Sequence, residues 1–144
     1  MAYPFNRHST LSKRVFVSAF LSTLSLGAIA NPNGGHVVNG NVSIVNTSPS
    51  RIDIIQQSDK AIINWNDFSI KQGEHTNFQQ PSSSSVTLNR VTGKNQSLIN
   101  GDLTANGTIF LVNPHGVIFG TTSTVNVGGI VATTSDIHDE NFTA

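Results

Sequence analysis

The acidic side chains are the residues of this sequence best suited to general acid–base chemistry, and there are eight of them. Glycoside hydrolysis needs two carboxyl groups that face each other across the scissile bond. Four of the acids instead stand singly: Asp53, Asp59, Asp67 and Asp102. The first adjacent pair, Asp139-Glu140, comes only near the last residue. The pattern therefore argues against a secreted polysaccharide hydrolase or lyase.

Histidine and nucleophilic residues give no stronger signal for catalysis. The four histidines beyond the N-terminal region lie too far apart for metal-ligand spacing: His36, His75, His115 and His138. The sequence has 0 cysteines and no G-x-S-x-G segment that could present a serine nucleophile. We predict no catalytic residue, no metal site and no cofactor.

An Asn-Pro-His-Gly run at Asn113, Pro114, His115 and Gly116 has the composition of a tight turn. Proline in second place presets φ for a type I turn, and the asparagine side chain can accept a hydrogen bond from the main chain just downstream. A similar run, Asn31-Pro32-Asn33-Gly34, lies earlier in the chain. Such a turn either shapes the chain or displays residues to a partner.

The first thirty residues have the pattern of a secretory signal peptide. Arg7, Lys13 and Arg14 precede an apolar run from Val15 to Leu26, and Ala28-Ile29-Ala30 supplies an A-x-A cleavage site. That run would span roughly 18 Å as a helix, against a hydrocarbon core of about 30 Å, so it is too short for a membrane anchor. We predict cleavage between Ala30 and Asn31.

The remaining residues, 31–144, form one domain with a mildly acidic balance. Five lysines and arginines stand against eight acids, a net charge of −3, which disfavours nucleic acid as a partner. Only 11% of the whole chain is charged, and the many Asn, Ser and Thr residues suit a β-rich extracellular protein better than a helical bundle.

Short β-branched and aromatic runs, broken by Gly, Asn, Pro and Ser, predict strands rather than helices. The predicted strands are Val42 to Val45, Arg51 to Gln56, Ala61 to Trp65, Thr76 to Phe78, Val86 to Val91, Thr108 to Val112, Val117 to Phe119, Val125 to Val127 and Gly129 to Thr133. This pattern fits an antiparallel sandwich and a parallel β-helix almost equally.

Four Asn-Gly dipeptides would form hairpin turns in a sandwich and positive-φ corners in a β-helix. They lie at Asn33-Gly34, Asn39-Gly40, Asn100-Gly101 and Asn106-Gly107. With coils of about 20 residues, a β-helix of this length would have roughly five coils.

The stretch from Ser58 to Gly120 resembles the haemagglutination-activity, or two-partner secretion, domain found at the start of filamentous haemagglutinins and related exoproteins. The segments that carry the resemblance are Ile63-Asn64-Trp65, Asn77-Phe78, Gln80-Pro81-Ser82-Ser83, Asn89-Arg90-Val91, Ile109 to Gly120, and Val125 to Ala132. Family members usually read N-P-N-G where this chain has His115 in the third place, which puts any contact made by that asparagine in doubt.

The resemblance implies an all-β, right-handed parallel β-helix with a capped N-terminal end. It also implies secretion to the surface of a Gram-negative bacterium through the Sec pathway and periplasm, with an outer-membrane β-barrel transporter and its POTRA modules as the partner. Family domains generally run longer, so we expect residues 31–144 to be incomplete at the C-terminal end. Adhesive or toxic activity located downstream in longer relatives is not assigned to this chain.

Transporter recognition would fall on the turn residues Asn113, Pro114, His115 and Gly116, and secondarily on Asn64, Asn89 and Arg90. A purely structural role for these asparagines is the competing interpretation. The alternative function is a direct adhesin that binds glycan or protein on a host cell, with Trp65 and Phe68 as an exposed aromatic platform. Aromatic residues at this spacing are more often part of a core.

Overall fold

The computed structural model describes residues 31–144, so the predicted signal peptide and Ala30 lie outside the described residues. The described part is almost entirely β-structure, with one short helix at its end. The strands are β1 (His36–Asn39), β2 (Val42–Ser48), β3 (Arg51–Gln56), β4 (Lys60–Trp65), β5 (His75–Gln79), β6 (Val86–Val91), β7 (Ser97–Ile99), β8 (Asp102–Ala105), β9 (Thr108–Val112), β10 (Val117–Phe119), β11 (Thr124–Asn126) and β12 (Gly129–Thr133). The helix is α1 (Asp139–Thr143).

Parallel pairing between successive coils builds the fold. Arg51 lies beside His75, His75 beside Asp102, and Asp102 beside Thr124, so each coil adds a strand to the same sheet. These coils are 24, 27 and 22 residues long. A second parallel sheet contains β4, β6, β9 and β12, and a third, smaller one pairs β7 with β10. The prediction of an all-β parallel β-helix is confirmed, and the antiparallel sandwich is wrong.

The interior consists of side chains stacked in register, one per coil. In the first sheet, Ile52 stacks on Thr76 and Leu103, and Ile54 stacks on Phe78. The second sheet contributes Ile63 and Leu111 to the same buried cluster, with Trp65 and Phe68 filling the corner. Because a coil encloses little volume, each level holds only a few large side chains, and burial depends on the coil above and the coil below.

The N-terminal strands form a cap instead of a coil. Strand β1 pairs antiparallel with β4, and β2 pairs antiparallel with β3, so both exposed edges of the first coil are covered. A covered edge removes a template for pairing with other chains. The chain therefore makes about four coils, and the expected five was wrong because residues 31–50 are used in the cap and the coils exceed 20 residues.

The Asn-Gly dipeptides serve two different purposes. Gly34 and Gly40 have positive φ values of 64° and 91°, as expected for corners, and Gly40 lies between β1 and β2, which belong to different sheets. Gly101 and Gly107 do not have positive φ. A Cβ atom would lie 2.2 Å from the carbonyl oxygen of Lys71 at Gly101 and 2.4 Å from that of Ser85 at Gly107. Here glycine is needed because two coils approach closely.

All nine predicted strands exist, several with boundaries shifted by one to three residues. The sequence pattern missed β1, β7 and β8. Strands β7 and β8 are short and contain one β-branched residue each, and β1 offers only Val37 and Val38 between polar residues. Among residues 31–144, no helix is long and apolar enough to cross a membrane.

Candidate functional site

The Asn-Pro-His-Gly run forms the corner between β9 and β10. The N–H of Gly116 donates to the carbonyl oxygen of Asn113 over 2.9 Å, which closes the turn. The N–H of His115 donates to Asn113 Oδ1, also over 2.9 Å, as expected for an asparagine that opens a turn. Gly116 has a φ of 105°, a conformation that other residues adopt only with strain.

The Asn113 side chain is fully buried and joins this corner to its neighbours. Its Nδ2 donates to Asn95 O over 3.0 Å and to Ser97 Oγ over 2.9 Å, both in the preceding coil. Its main-chain N–H donates to Thr133 O in the following coil. Asn113 therefore holds three coils in register, and its side chain is inaccessible to a partner of the folded domain.

Pro114 and His115 are the exposed residues of the turn. Immediately after it, Ile118 lies in register with Leu98 on the outside of the third sheet. Both side chains are exposed, at 46% and 44%. We call Pro114, His115, Leu98 and Ile118 the third-face patch. It combines a rigid turn with two exposed apolar side chains.

Asn89 lies in the interior and not in the patch. Its Oδ1 accepts a hydrogen bond of 2.9 Å from the indole N–H of Trp65, and both residues are buried. Its Nδ2 donates to Phe110 O in the next coil over 3.3 Å. The structural interpretation therefore accounts for this residue in the folded domain.

Arg90 and Asn64 lie on the outer face of the second sheet, beneath residues 134–144. The guanidinium of Arg90 donates over 2.7 Å to Asp136 Oδ1, to Asp139 Oδ1 and to Ile137 O. It also donates to Asn64 Oδ1 over 3.3 Å. Only 15% of the Arg90 side chain is exposed, so the arginine is occupied with the C-terminal segment.

Electrostatics follow from this arrangement. Partial burial opposes ionisation of Asp136, but hydrogen bonds from the Arg90 guanidinium and from the Ile137 N–H outweigh it, so the pKa of Asp136 is lowered. Burial likewise opposes the charge on Arg90, and the two carboxylates raise its pKa above the ordinary value. Phe142 packs edge-on against Phe110, with ring centroids 5.8 Å apart, and completes the cover.

The predicted site residues thus divide among three places. The turn belongs to the third-face patch, Asn89 belongs to the interior, and Asn64 with Arg90 lies under the C-terminal segment. Of the predicted cleavage site, only Asn31 is described, and its main-chain N–H donates to Glu74 Oε2 over 2.9 Å. In the earlier Asn-Pro run, Asn33 forms an antiparallel bridge with Asp67.

A hydrogen-bonded ring on the outside of the first sheet was not predicted from the sequence. Its members are Arg51, Asp53, Asn77, Thr104 and His75. They occupy alternate positions of β3, β5 and β8, so the period-2 pattern of each strand was the signal that could have placed them on one face. The ring joins three successive coils.

Asp53 is the charged centre of this ring. The hydrogen bond from Arg51 is the largest influence, burial opposes it, and Asn77 and Thr47 add further hydrogen bonds. Together these hold the pKa of Asp53 well below its usual range. Arg51 Nη1 also lies 2.8 Å from His75 Nδ1. Since the guanidinium can only donate, His75 Nδ1 must accept there, which leaves the proton on Nε2, facing Thr104 Oγ1 at 2.7 Å.

Among residues 31–144, no group of three or more histidines and acids is placed to hold a metal ion. Trp65 and Phe68 are 1% and 0% exposed and form an edge-to-face pair inside the core. The exposed aromatic platform of the adhesin hypothesis is therefore wrong, because these rings fill the corner of the first coil.

Fold and surface together define a capped parallel β-helix that displays a rigid turn beside a small apolar patch. Residues 28–144 match the family model described as the TPS secretion domain. The chain belongs to this family, the secretion domain of two-partner secretion exoproteins, as the resemblance predicted. Such domains have a partner transporter in the outer membrane, and the exoproteins that carry them are secreted by Gram-negative bacteria.

Two relatives and one solved structure support the assignment. The chain is 43% identical over 121 residues to a heme/hemopexin-binding protein of Haemophilus influenzae, covering 81% of this chain and 13% of that protein. It is also 43% identical over 106 residues to that protein from a second strain, covering 74% of this chain and 12% of the relative. The crystal structure of the HMW1 secretion domain from Haemophilus influenzae superposes with a TM-score of 0.74 at 36% identity. That match covers 78% of this chain and 30% of the other chain, so this chain spans only a fraction of its relatives.

Proposed function

We propose that this domain directs export of its polypeptide through a partner outer-membrane transporter, and that the third-face patch is the surface the transporter contacts. The observation that carries the proposal is the division of the turn into a buried anchor, Asn113, and two exposed residues, Pro114 and His115. A turn held between three coils presents its tip without an ordering cost on binding.

Each residue of the turn receives one role under this proposal. Asn113 and Gly116 set the shape of the corner, while Pro114 and His115 supply contact surface together with Leu98 and Ile118. An imidazole at His115 keeps a polar ring where relatives usually place an asparagine amide, so the partner of this chain is expected to be matched to histidine.

The test is secretion of the chain in cells that carry its matched outer-membrane partner. We expect His115→Ala with Leu98→Ser to reduce the secreted fraction at least about tenfold, the effect of losing roughly 1.4 kcal/mol of binding. Ser84→Ala, at an exposed corner of another coil, is the matched control and should leave secretion unchanged. Thermal unfolding of each purified variant shows whether the fold is retained.

Normal secretion of the folded double variant would overturn the assignment of the patch. Equal loss of secretion with Ser84→Ala would show that the assay responds to the fold and not to the patch. Loss of secretion by Asn113→Ala alone would not separate contact from structure, because that change removes the side-chain hydrogen bonds to Asn95 and to the buried Ser97.

The route and extent of the domain belong to the same proposal. Residues 1–30 act as the signal peptide for the Sec pathway, residues 31–144 cross the periplasm to POTRA modules, and further coils follow in the complete exoprotein. The proposed role is recognition and not catalysis. Neither the adhesin nor the polysaccharide-active enzyme gains a specific observation in its favour. The aromatic rings are internal, and the two carboxylates that approach each other, those of Asp136 and Asp139, are both bound to Arg90.

A further inference from the structure

Glu74 is a buried acid that lies outside the third-face patch. It stands at the corner before β5 and is 9% exposed. Its Oε2 accepts the N–H of Lys71 over 2.8 Å and the N–H of Asn31 over 2.9 Å. Its carbonyl oxygen accepts the N–H of Asp102 in the next coil. The carboxylate therefore links the start of the domain to the first coil, and the main-chain carbonyl oxygen of Glu74 links the first coil to the next.

Asn31 is held on its other side as well. Thr76, which is fully buried, donates from Oγ1 to Asn31 Oδ1 over 3.2 Å. Asn31 itself is 5% exposed and has a φ of 68°, a left-handed conformation that asparagine tolerates better than most residues. The nitrogen of Asn31 thus has a fixed position, 2.9 Å from a carboxylate.

The hydrogen bonds to the Glu74 carboxylate come from the main-chain N–H groups of Asn31 and Lys71. The ion pairs among residues 31–144 join Arg51 to Asp53, and Arg90 to Asp136 and Asp139. Glu74 is instead met by main-chain N–H dipoles. A buried carboxylate with neutral partners loses hydration that a nearby cation would offset.

We propose that removal of the signal peptide between Ala30 and Asn31 creates that cation: the new α-ammonium of Asn31 forms a buried ion pair with Glu74 and locks the cap onto the first coil. A signal-peptide-cleaving protease and one water supply the chemistry. Water adds to the Ala30 carbonyl carbon, the bond to the Asn31 nitrogen breaks, Ala30 leaves as a carboxylate, and the freed amine binds a proton.

Processing thereby changes the electrostatics of the folded domain at a single atom. Before cleavage the Asn31 nitrogen is an amide with one hydrogen. Afterwards it carries a full charge and three hydrogens, at hydrogen-bonding distance from Oε2 and in a site where water screens the attraction little. The chain that retains its leader is therefore the less stable one.

The experiment uses the full chain with residues 27–30 replaced by the recognition sequence of a specific protease that cuts directly before Asn31. The midpoint of thermal unfolding is measured on one preparation before and after cutting. We expect cutting to raise the midpoint by at least about 5 °C. Glu74→Gln, which keeps the shape and accepts hydrogen bonds without charge, should abolish the rise. Glu140→Gln, at an exposed acid of α1, should preserve it.

A second version of the chain, with the protease site one residue earlier, separates the effect of the new charge from the effect of removing the leader. This comparison does not depend on whether Glu74→Gln folds. Placing the site one residue earlier leaves Ala30 in front of Asn31, which moves the ammonium by one residue, about 3.8 Å along the chain. This product should show no rise. An equal rise for both products, an equal rise in folded Glu74→Gln, or no rise in the parent chain would overturn the proposal. No transporter is involved, so the result is independent of the proposed third-face patch.

Discussion

At the scale of single residues, this domain uses its amides and hydroxyls to hold coils together. Asn89, Asn113 and Gln80 are buried, and each donates or accepts hydrogen bonds across a coil boundary. Among the residues described, no buried side-chain nitrogen or oxygen atom lacks a hydrogen-bond partner. The Asn, Ser and Thr residues that suit a β-rich extracellular protein therefore also serve the interior, where an unpaired polar group would cost about 1–3 kcal/mol.

A residue-scale prediction concerns Asp53, whose folded-state pKa is depressed. A depressed acid contributes stability above its unfolded-state pKa, about 3.9, and that contribution is lost as pH falls further. We expect Asp53→Asn to lower the free energy of unfolding at pH 7 by about 1–2 kcal/mol, a discounted value because Arg51 is 39% exposed and screened by water.

Urea unfolding at pH 7 and at pH 3 tests this expectation. The difference between the parent chain and Asp53→Asn should shrink at the lower pH. Glu140→Gln, which removes an exposed acid, is the control and should cause little change at either pH. A difference for Asp53→Asn that stays constant from pH 7 to pH 3 would contradict a role for the ionised carboxylate.

At the scale of elements, the sequence predicts strands better than it predicts corners. The central strands β6 and β9 were located to the residue, because β9 is a continuous apolar run after Thr108 and β6 begins with the alternating Val86 and Leu88. Strand β8 contains only Leu103 as a large apolar residue and is formed by pairing with β5, a contact 27 residues away that local pattern does not reveal. For a β-helix, the sequence predicts a positive-φ corner at Gly107. Glycine is needed there for a different reason, because a Cβ atom would clash with the carbonyl oxygen of Ser85 in another coil.

An element-scale prediction follows for the corner at Gly107. A Cβ atom at this position would lie 2.4 Å from Ser85 O and 2.8 Å from Gln80 Oε1. We expect Gly107→Ala to lower the free energy of unfolding by about 1–3 kcal/mol, because two coils must move apart. The control is Gly73→Asn, where φ is positive but a Cβ atom meets nothing within 4 Å. Chemical unfolding should show the larger loss for Gly107→Ala, and the reverse order would contradict coil spacing as the cause.

At the scale of the whole molecule, the cap gives the stack a direction. The edge of the first coil is closed by antiparallel strands, while every later coil pairs in parallel with the one before it. Each coil is thus a template for the next, and the cap supplies the first template. The family resemblance predicts the fold, whereas the strand pattern alone does not, because the order of strand pairing is a long-range property. The sequence also predicts the tight turn at Asn113–Gly116, but it does not separate the buried Asn113 from the exposed His115, since exposure depends on neighbouring coils.

A whole-molecule prediction tests the cap. Ile44 pairs with Ile54 and packs against the core, whereas the neighbouring Ser43 is exposed. We expect Ile44→Asp to lose about 2 kcal/mol of apolar burial and to free the edge of β3. Size-exclusion chromatography with light scattering should then show soluble aggregates. Ser43→Asp, on the same strand with its side chain outward, should remain monodisperse as the parent does, and aggregation by both variants would count against edge protection.

The unequal coil lengths have a practical consequence for labelling this protein. Strand register is constant from coil to coil, so the difference between 22 and 27 residues is taken up at corners such as the serine run at Ser82–Ser84. Ser83 and Ser84 are both exposed there. An epitope tag inserted between them lengthens a corner without shifting the strands on either side. Such an internal tag would allow antibody detection of the second coil outside the cell while leaving both ends of the polypeptide unmodified.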